Sequence, residues 1–131
     1  MYTNFTPDQL SHPDMDDVND ALTRCLQCGY CAEICPTYQL TGDENENSRG
    51  RVKLIKEMLE KGGRPDEKTV RHIDRCMSCL ACMSTCPSFV NYMRLVDHAA
   101  NISMITISAL YWIGCSAGRW RKFCLILTAF D

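Results

Sequence analysis

The chain has 131 residues, with 14 basic against 16 acidic residues and a net charge of −2; that is the size of one domain, and it leaves no basic footprint for nucleic acid. Ten cysteines approach the roughly 8–10% density of disulfide scaffolds. The opening MYTNFTPDQL, however, lacks the basic stretch and apolar run of a secretory signal, so a reducing, cytoplasmic setting is expected, where clustered cysteines point to metal.

Residues 1–13, with Pro7 and Pro13, read as an irregular lead-in. Asp14 to Arg24 is expected to be a short helix, capped by Asp14 or Asp16, with Met15, Val18 and Leu22 on one stripe that runs into Cys25. Thr41 to Ser48 (TGDENENS) is polar and reads as a loop. Arg49 onward forms a second helix, with Val52, Ile55, Met58 and Leu59 on its apolar face, Glu57 paired with Lys61, and Gly62-Gly63 ending it. On the same helix Arg49, Arg51, Lys53 and Lys56 form a basic face, read either as solvated or as a docking surface.

Asp66 to Arg75 is a third short helix, apolar at Val70 and Ile73, which leads into Cys76 as the first leads into Cys25. Ser88 is expected to cap a helix over residues 89–100 with Phe89, Tyr92, Met93 and Val96 on one face. No segment alternates like a strand, and the class is mostly α. No stretch reaches the eighteen or so apolar residues of a membrane span; Ile102 to Gly114 comes nearest, but it is short and broken by polar residues.

Two stretches repeat: CLQCGYCAEICP, with Cys25, Cys28, Cys31 and Cys35, and CMSCLACMSTCP, with Cys76, Cys79, Cys82 and Cys86. Each is C-x₂-C-x₂-C-x₃-C-P, the spacing in which the fourth cysteine of each run binds the other of two iron–sulfur clusters. A [4Fe–4S] cube presents four corner irons, each wanting one thiolate. Three cysteines at x₂ spacing wrap three corners and bring backbone N–H groups to the sulfurs; the fourth corner faces away. The expected sets are therefore Cys25, Cys28, Cys31 and Cys86 for one cluster, and Cys76, Cys79, Cys82 and Cys35 for the other. A zinc ribbon would use pairs of C-x₂-C and needs neither the third cysteine nor the Cys-Pro ending. Disulfides run against the compartment, and eight merely structural thiols leave the spacing unexplained.

Cys115 and Cys124 fit no ligand spacing. His12, His72 and His98 are scattered and read as surface or core-edge residues. Tyr30 and Phe89, beside cluster cysteines, are expected to shield the clusters from water. No dinucleotide fingerprint, nucleophile–base pair or paired carboxylates are present, so the chain is not expected to act on an organic substrate by itself.

The forty residues between the runs are helical in pattern, unlike the strand-rich middle of small bacterial ferredoxins, and resemble the α-helical ferredoxin domain of succinate dehydrogenase and heterodisulfide reductase iron–sulfur subunits. CLQCGYCAEICPTYQLTGDENENSRGRVKLIKEMLE and HIDRCMSCLACMSTCPSFVNYMRLVDHA narrow the resemblance to the glycolate oxidase iron–sulfur subunit family. It covers residues 1–99 and includes all eight cysteines and the words Thr37-Tyr38, Ser48-Arg49-Gly50-Arg51 and Leu95-x-Asp97. The resemblance implies an α-helical ferredoxin domain over residues 1–100 with two [4Fe–4S] clusters. It implies relay of electrons from an FAD-containing dehydrogenase subunit, which oxidises glycolate to glyoxylate, to a quinone or other electron-transport acceptor, the chain being held peripherally at the inner face of the membrane. Related complexes acting on lactate, glycerol 3-phosphate or heterodisulfides carry similar cluster words, and a metal-stabilised adaptor without redox turnover is the alternative of another class. The family's chains are longer and continue into Cys-Cys-Gly repeats. Residues 101–131 do not resemble that continuation, whereas a reading shifted by one base near Ala99-Ala100 does, so this tail is expected to be a frameshifted, non-native end of a truncated subunit.

Overall fold

The computed structural model describes residues 1–62 and 65–116, with side-chain surroundings as far as residue 105. Among these residues all regular structure is helical, in agreement with the mostly α expectation.

Two halves of the chain repeat each other in backbone as well as in sequence. Helix α2 (Met15–Arg24) delivers Cys25 and helix α6 (Glu67–Asp74) delivers Cys76; each is followed by a one-turn helix, α3 (Tyr30–Glu33) and α7 (Ala81–Ser84). The closing hydrogen bonds match at a constant offset of 51 residues. Cys25 N–H donates to Leu22 O at 3.3 Å, and Cys76 N–H to Ile73 O at 3.0 Å; Cys35 N–H donates to Ala32 O at 3.1 Å, and Cys86 N–H to Met83 O at 3.3 Å. The one-turn helices α3 and α7 pack against each other, which brings the two cysteine runs face to face.

The core lies beneath those runs. Long helix α5 (Ser48–Glu60) and helix α8 (Tyr92–Ser116) pack with α2 and α6 through Val18, Leu22, Ile55, Leu95 and Ala99, none more than 1% exposed. Cys25, Cys76, Cys82 and Cys86 rest on this core from above. Burying aliphatic side chains of this size stabilises by about 1.5–3 kcal/mol each, so the cysteine loops stand on the most strongly determined part of the chain.

Several local expectations change. The lead-in contains helix α1 (Pro7–Leu10): Thr6 and Gln9 form a reciprocal capping box, and Pro7, at the first helical position, starts a helix in a stretch expected to be irregular. Asp14 precedes α2 but makes no side-chain cap. Asn47 caps α5 by accepting from Gly50 N–H at 2.7 Å. Lys56 pairs with Glu60 at 3.4 Å, in place of the expected Glu57–Lys61 pair. Helix α8 starts at Tyr92, so Phe89 stands outside it with a left-handed backbone (φ 50°), and the inward stripe is Tyr92, Leu95, Val96 and Ala99, with Met93 turned outward. The backbone of α8 then continues across residue 100, the expected domain boundary, to Ser116; residues 117–131 of the tail lie outside the described residues. No described helix is long and apolar enough to cross a membrane.

The TGDENENS stretch departs most from expectation. Helix α4 (Pro36–Thr41) ends in it, a 3₁₀ turn (Glu44–Glu46) follows, and Glu46, Asn47 and Ser48 are buried. Thr41 to Glu44 are exposed, as a loop would be, but the second half of the stretch is a polar knot folded into the molecule.

Candidate metal centre

Each cysteine run is curled by two left-handed residues at matching positions: Gln27 (φ 58°) and Gly29 (φ 91°) in the first, Ser78 (φ 48°) and Leu80 (φ 57°) in the second. For residues with a Cβ this conformation costs about 1–2 kcal/mol each. It recurs here because an x₂ spacer must turn within three residues to present successive thiols to one side. Gly29 adopts it without that cost, and the guanidinium of Arg49 lies close over it, 3.0 Å from where a Cβ would stand.

Two adjoining concavities result. One is lined by Cys35, Cys76, Cys79 and Cys82, together with Thr37, Arg51 and Tyr92. The second is lined by Cys25, Cys31, Cys82 and Cys86, with Ser48, Val52, Val90 and Tyr92. Cys28 does not line it and is exposed, at the outer edge of its run. Ser48, Cys82 and Tyr92 line both and stand where the concavities meet. All eight cysteines are free thiols. Thiols converging from two half-chains, in walls otherwise largely apolar, are a donor set that suits iron–sulfur clusters.

The thiols differ in electrostatic surroundings. Burial pushes Cys82 up to about 11, with the Ser48 hydroxyl pulling the other way. Burial likewise raises Cys31, again opposed by Ser48. At Cys35 burial also pushes upward, but the Thr37 hydroxyl, the backbone N–H groups of Tyr38 and Thr37, and the Arg51 charge outweigh it, and the thiol titrates below its ordinary value. A bound metal would supply the positive charge that keeps the raised thiols deprotonated.

The residues that shape the site are not those the sequence singles out. Arg51, expected on a basic surface face, is 1% exposed. Its Nη2 lies 2.8 Å from Glu46 Oε2 and its Nε donates to His72 O at 2.6 Å, while Nη1 donates to the Glu46 carbonyl and to Thr37 Oγ1. Glu46 is also held by His72 Nδ1 at 2.8 Å and Arg75 Nη1 at 3.0 Å. The remainder of the basic face is broken up: Arg49 pairs with Glu44 at 2.5 Å and Lys56 with Glu60, leaving Lys53 exposed. Gly50 admits the 3₁₀ turn, since a Cβ there would lie 2.0 Å from Glu44 O. Each letter of Ser48-Arg49-Gly50-Arg51 thus has a separate job beside the cysteines.

Tyr30 and Phe89 do not shield the site. They are 66% and 83% exposed, and Tyr92, buried with its hydroxyl 3.6 Å from Cys76 Sγ, is the aromatic that lines both concavities. Burial, followed by the neighbouring Cys76, pushes its phenol far above the usual range. His72 is buried in the charged knot, His98 is half-buried and His12 is exposed; none faces the thiols. The Cys115 and Cys124 side chains lie outside the described residues.

The family described as "4Fe-4S dicluster domain" matches residues 21–90, just over half of the chain and all eight cysteines. The chain is 42% identical over 102 residues to the "Glycolate oxidase iron-sulfur subunit" of Escherichia coli (strain K12), an alignment that covers 78% of this chain and 25% of that protein. It is 39% identical over 82 residues to the "Probable glycolate oxidase iron-sulfur subunit" of Bacillus subtilis (strain 168), covering 62% of this chain and 18% of that protein. The chain thus spans about a quarter or less of the length of these relatives. No solved structure gives a significant match. The resemblance read from the cysteine words is borne out, and the helical architecture fits the α-helical ferredoxin-like fold. On the match across both cysteine runs, the chain belongs to the 4Fe-4S dicluster domain family.

Proposed function

We propose that the chain is the cluster-bearing part of a glycolate oxidase type complex and relays electrons through two [4Fe–4S] clusters. Cys25, Cys28, Cys31 and Cys86 hold one; Cys76, Cys79, Cys82 and Cys35 hold the other. The observation that carries this reading is the position of Cys35. It belongs to the first run, yet it lines the same concavity as Cys76, Cys79 and Cys82. Cys86 in turn shares the second concavity with Cys25 and Cys31.

When bound, such clusters take up and release single electrons. The chain's own residues bind and insulate them. The thiols supply the ligands, Val52, Val90 and Tyr92 exclude water, and the interlocked runs keep the two sites adjacent. Electrons arrive from an FAD-containing dehydrogenase subunit acting on glycolate and leave toward a quinone or other electron-transport acceptor. The identity to the two glycolate oxidase subunits supports this substrate. No proton or hydride step is assigned to this chain.

Anaerobic loading with iron and sulfide, followed by metal analysis and electron paramagnetic resonance, tests the cluster reading: about eight irons and two reducible [4Fe–4S] signals are expected per chain. Four irons with tetrahedral thiolate spectra, or no reducible signal, would contradict it. Co-expression with the FAD-containing subunit tests the substrate. Glycolate should bleach the cluster absorbance, and reduction by lactate or glycerol 3-phosphate alone would move the chain to a related complex.

A further inference from the structure

The two halves are alike in backbone but not in the groups that meet their crossed-over cysteines. Cys35 Sγ lies 3.2 Å from Thr37 Oγ1 and 3.9 Å from Arg51 Nη1. At the same offset of 51 residues the counterparts are Ser88 and Ile102. Among the described residues Ser88 makes no hydrogen bond to Cys86, and Ile102 carries no charge.

The Thr37 hydroxyl has one proton and two neighbours that can accept it. With Cys35 as a thiol, the proton goes to Glu46 O, at 2.6 Å. With Cys35 as a metal-bound thiolate it can turn to the sulfur, because Arg51 Nη1 already donates to that carbonyl and leaves it satisfied. Arg51 itself is enclosed, so water and salt screen its charge little. The carboxylates of Glu46 and neighbouring Asp43 balance the guanidinium groups of Arg51 and Arg75, so what sets the Cys35 side apart is the enclosed Arg51 donor beside the sulfur rather than net charge. The Ser48 hydroxyl lines both concavities, beside Cys31 and Cys82 alike, and so favours neither site; the remaining donors of the other site are weaker. Gln27 Nε2, which is neutral, donates to Cys25 Sγ at 3.4 Å, and Arg49 is 34% exposed and tied to Glu44.

We propose, resting on the two-cluster reading, that Thr37 and Arg51 are positioning residues that raise the reduction potential of the site built on Cys35 above that of the site built on Cys86. Adding an electron adds negative charge at the thiolates, and hydrogen bonds and buried cations at those sulfurs favour the reduced form. The first electron supplied to the chain therefore rests on the Cys35 side, and the repeat becomes a relay with a downhill direction.

The test is a potentiometric titration of the full chain, loaded anaerobically, with dithionite as reductant, followed by electron paramagnetic resonance and absorbance. The unsubstituted chain should give two one-electron waves. Thr37→Val removes the hydroxyl and keeps the shape; it should lower the upper wave, changing the partition of the electron between the sites about tenfold, which is about 59 mV. Arg51→Gln should lower the same wave at least as far, and Ser88→Ala should move neither. An upper wave unmoved by Thr37→Val, both waves moving together, or the lower wave moving alone would overturn the proposal. Should Arg51→Gln not load, Thr37→Val decides. Iron and sulfide content separates the two levels. A chain without two clusters refutes the underlying reading; two clusters with unmoved waves refute this inference alone.

Discussion

Arg51 and Glu46 form an ion pair at 2.8 Å in which each side chain is 1% exposed, and the pair ties α5 to the turn beside Cys35. A buried pair of this kind is costly to break by halves, because the remaining charge has lost its solvent and its partner: about 3–5 kcal/mol. Glu46→Ala should therefore destabilise the loaded chain strongly, lowering its thermal midpoint by at least about 10 °C. The double substitution Glu46→Leu with Arg51→Met should cost much less than the sum of the single changes. Thermal unfolding followed by circular dichroism at 222 nm checks both outcomes.

Gly50 allows the backbone of that turn to approach α5. A Cβ would stand 2.0 Å from Glu44 O and 2.8 Å from Asn45 Cα, both backbone atoms that cannot swing aside. Gly50→Ala is expected to cost about 3 kcal/mol, the upper end of ordinary overpacking, and to loosen the Arg51 knot with it. Gly42 and Gly62 have open space around the position a Cβ would take, so Ala there should cost only the strain of a left-handed backbone. Denaturant unfolding of the three Ala variants should place Gly50→Ala well below the others.

His98 gives the chain a pH response away from the cysteines. Burial lowers its pKa below 6.5, against the pull of Asp14 and with a small push from His12. The folded chain thus holds His98 neutral while the unfolded chain takes up the proton first. Its contribution is fully present above pH 6.5 and is lost as pH falls from there through the lower folded value. The thermal midpoint should fall between pH 7.5 and pH 5.5, and His98→Gln should flatten that slope. An unchanged slope in the variant would remove His98 as the cause.

The left-handed residues of the two runs predict what metal removal does. Gln27, Ser78 and Leu80 hold a conformation that costs about 1–2 kcal/mol each, and the thiolate–metal bonds offset it. Stripped of metal, the runs should relax while the apolar core beneath them persists. Arg24 and Arg75 immediately precede the two runs. Trypsin should cut after both far faster in the metal-free chain than in the loaded one, while Arg51, enclosed in α5, stays protected. Equal cleavage rates with and without metal would show that the runs hold their shape without it.

The cysteine runs are legible in the sequence because ligand chemistry dictates their spacing, and the helices that deliver them because their apolar stripes repeat with helical period. The stripe Met15, Val18 and Leu22 is buried as expected, and Ile73 at the matching place in the second half is too. Arg51 and Glu46 are not legible. Arg and Glu are ordinarily surface residues, and what buries them is three partners, Thr37, His72 and Arg75, brought in from up to 29 residues away in sequence. No local pattern marks such a meeting. The one available signal is the lone glycine between Arg49 and Arg51, which interrupts a helix at a cost of about 1 kcal/mol and so points to a close backbone approach. Proximity in sequence alone misplaces Tyr30 and Phe89. Helix phase decides the matter: Tyr92 lies on the stripe of Leu95, Val96 and Ala99 that faces inward, and Phe89 precedes the helix.

The crossing of the two runs is tested most directly by paired ligand substitutions read by iron content and electron paramagnetic resonance. If the runs interlock, Cys35→Ser and Cys76→Ser perturb one and the same cluster signal, although the two residues lie in different runs, and Cys86→Ser and Cys25→Ser both perturb the other. If instead Cys35→Ser perturbs the signal that Cys25→Ser perturbs, each run holds its own cluster and the interlocked relay is wrong.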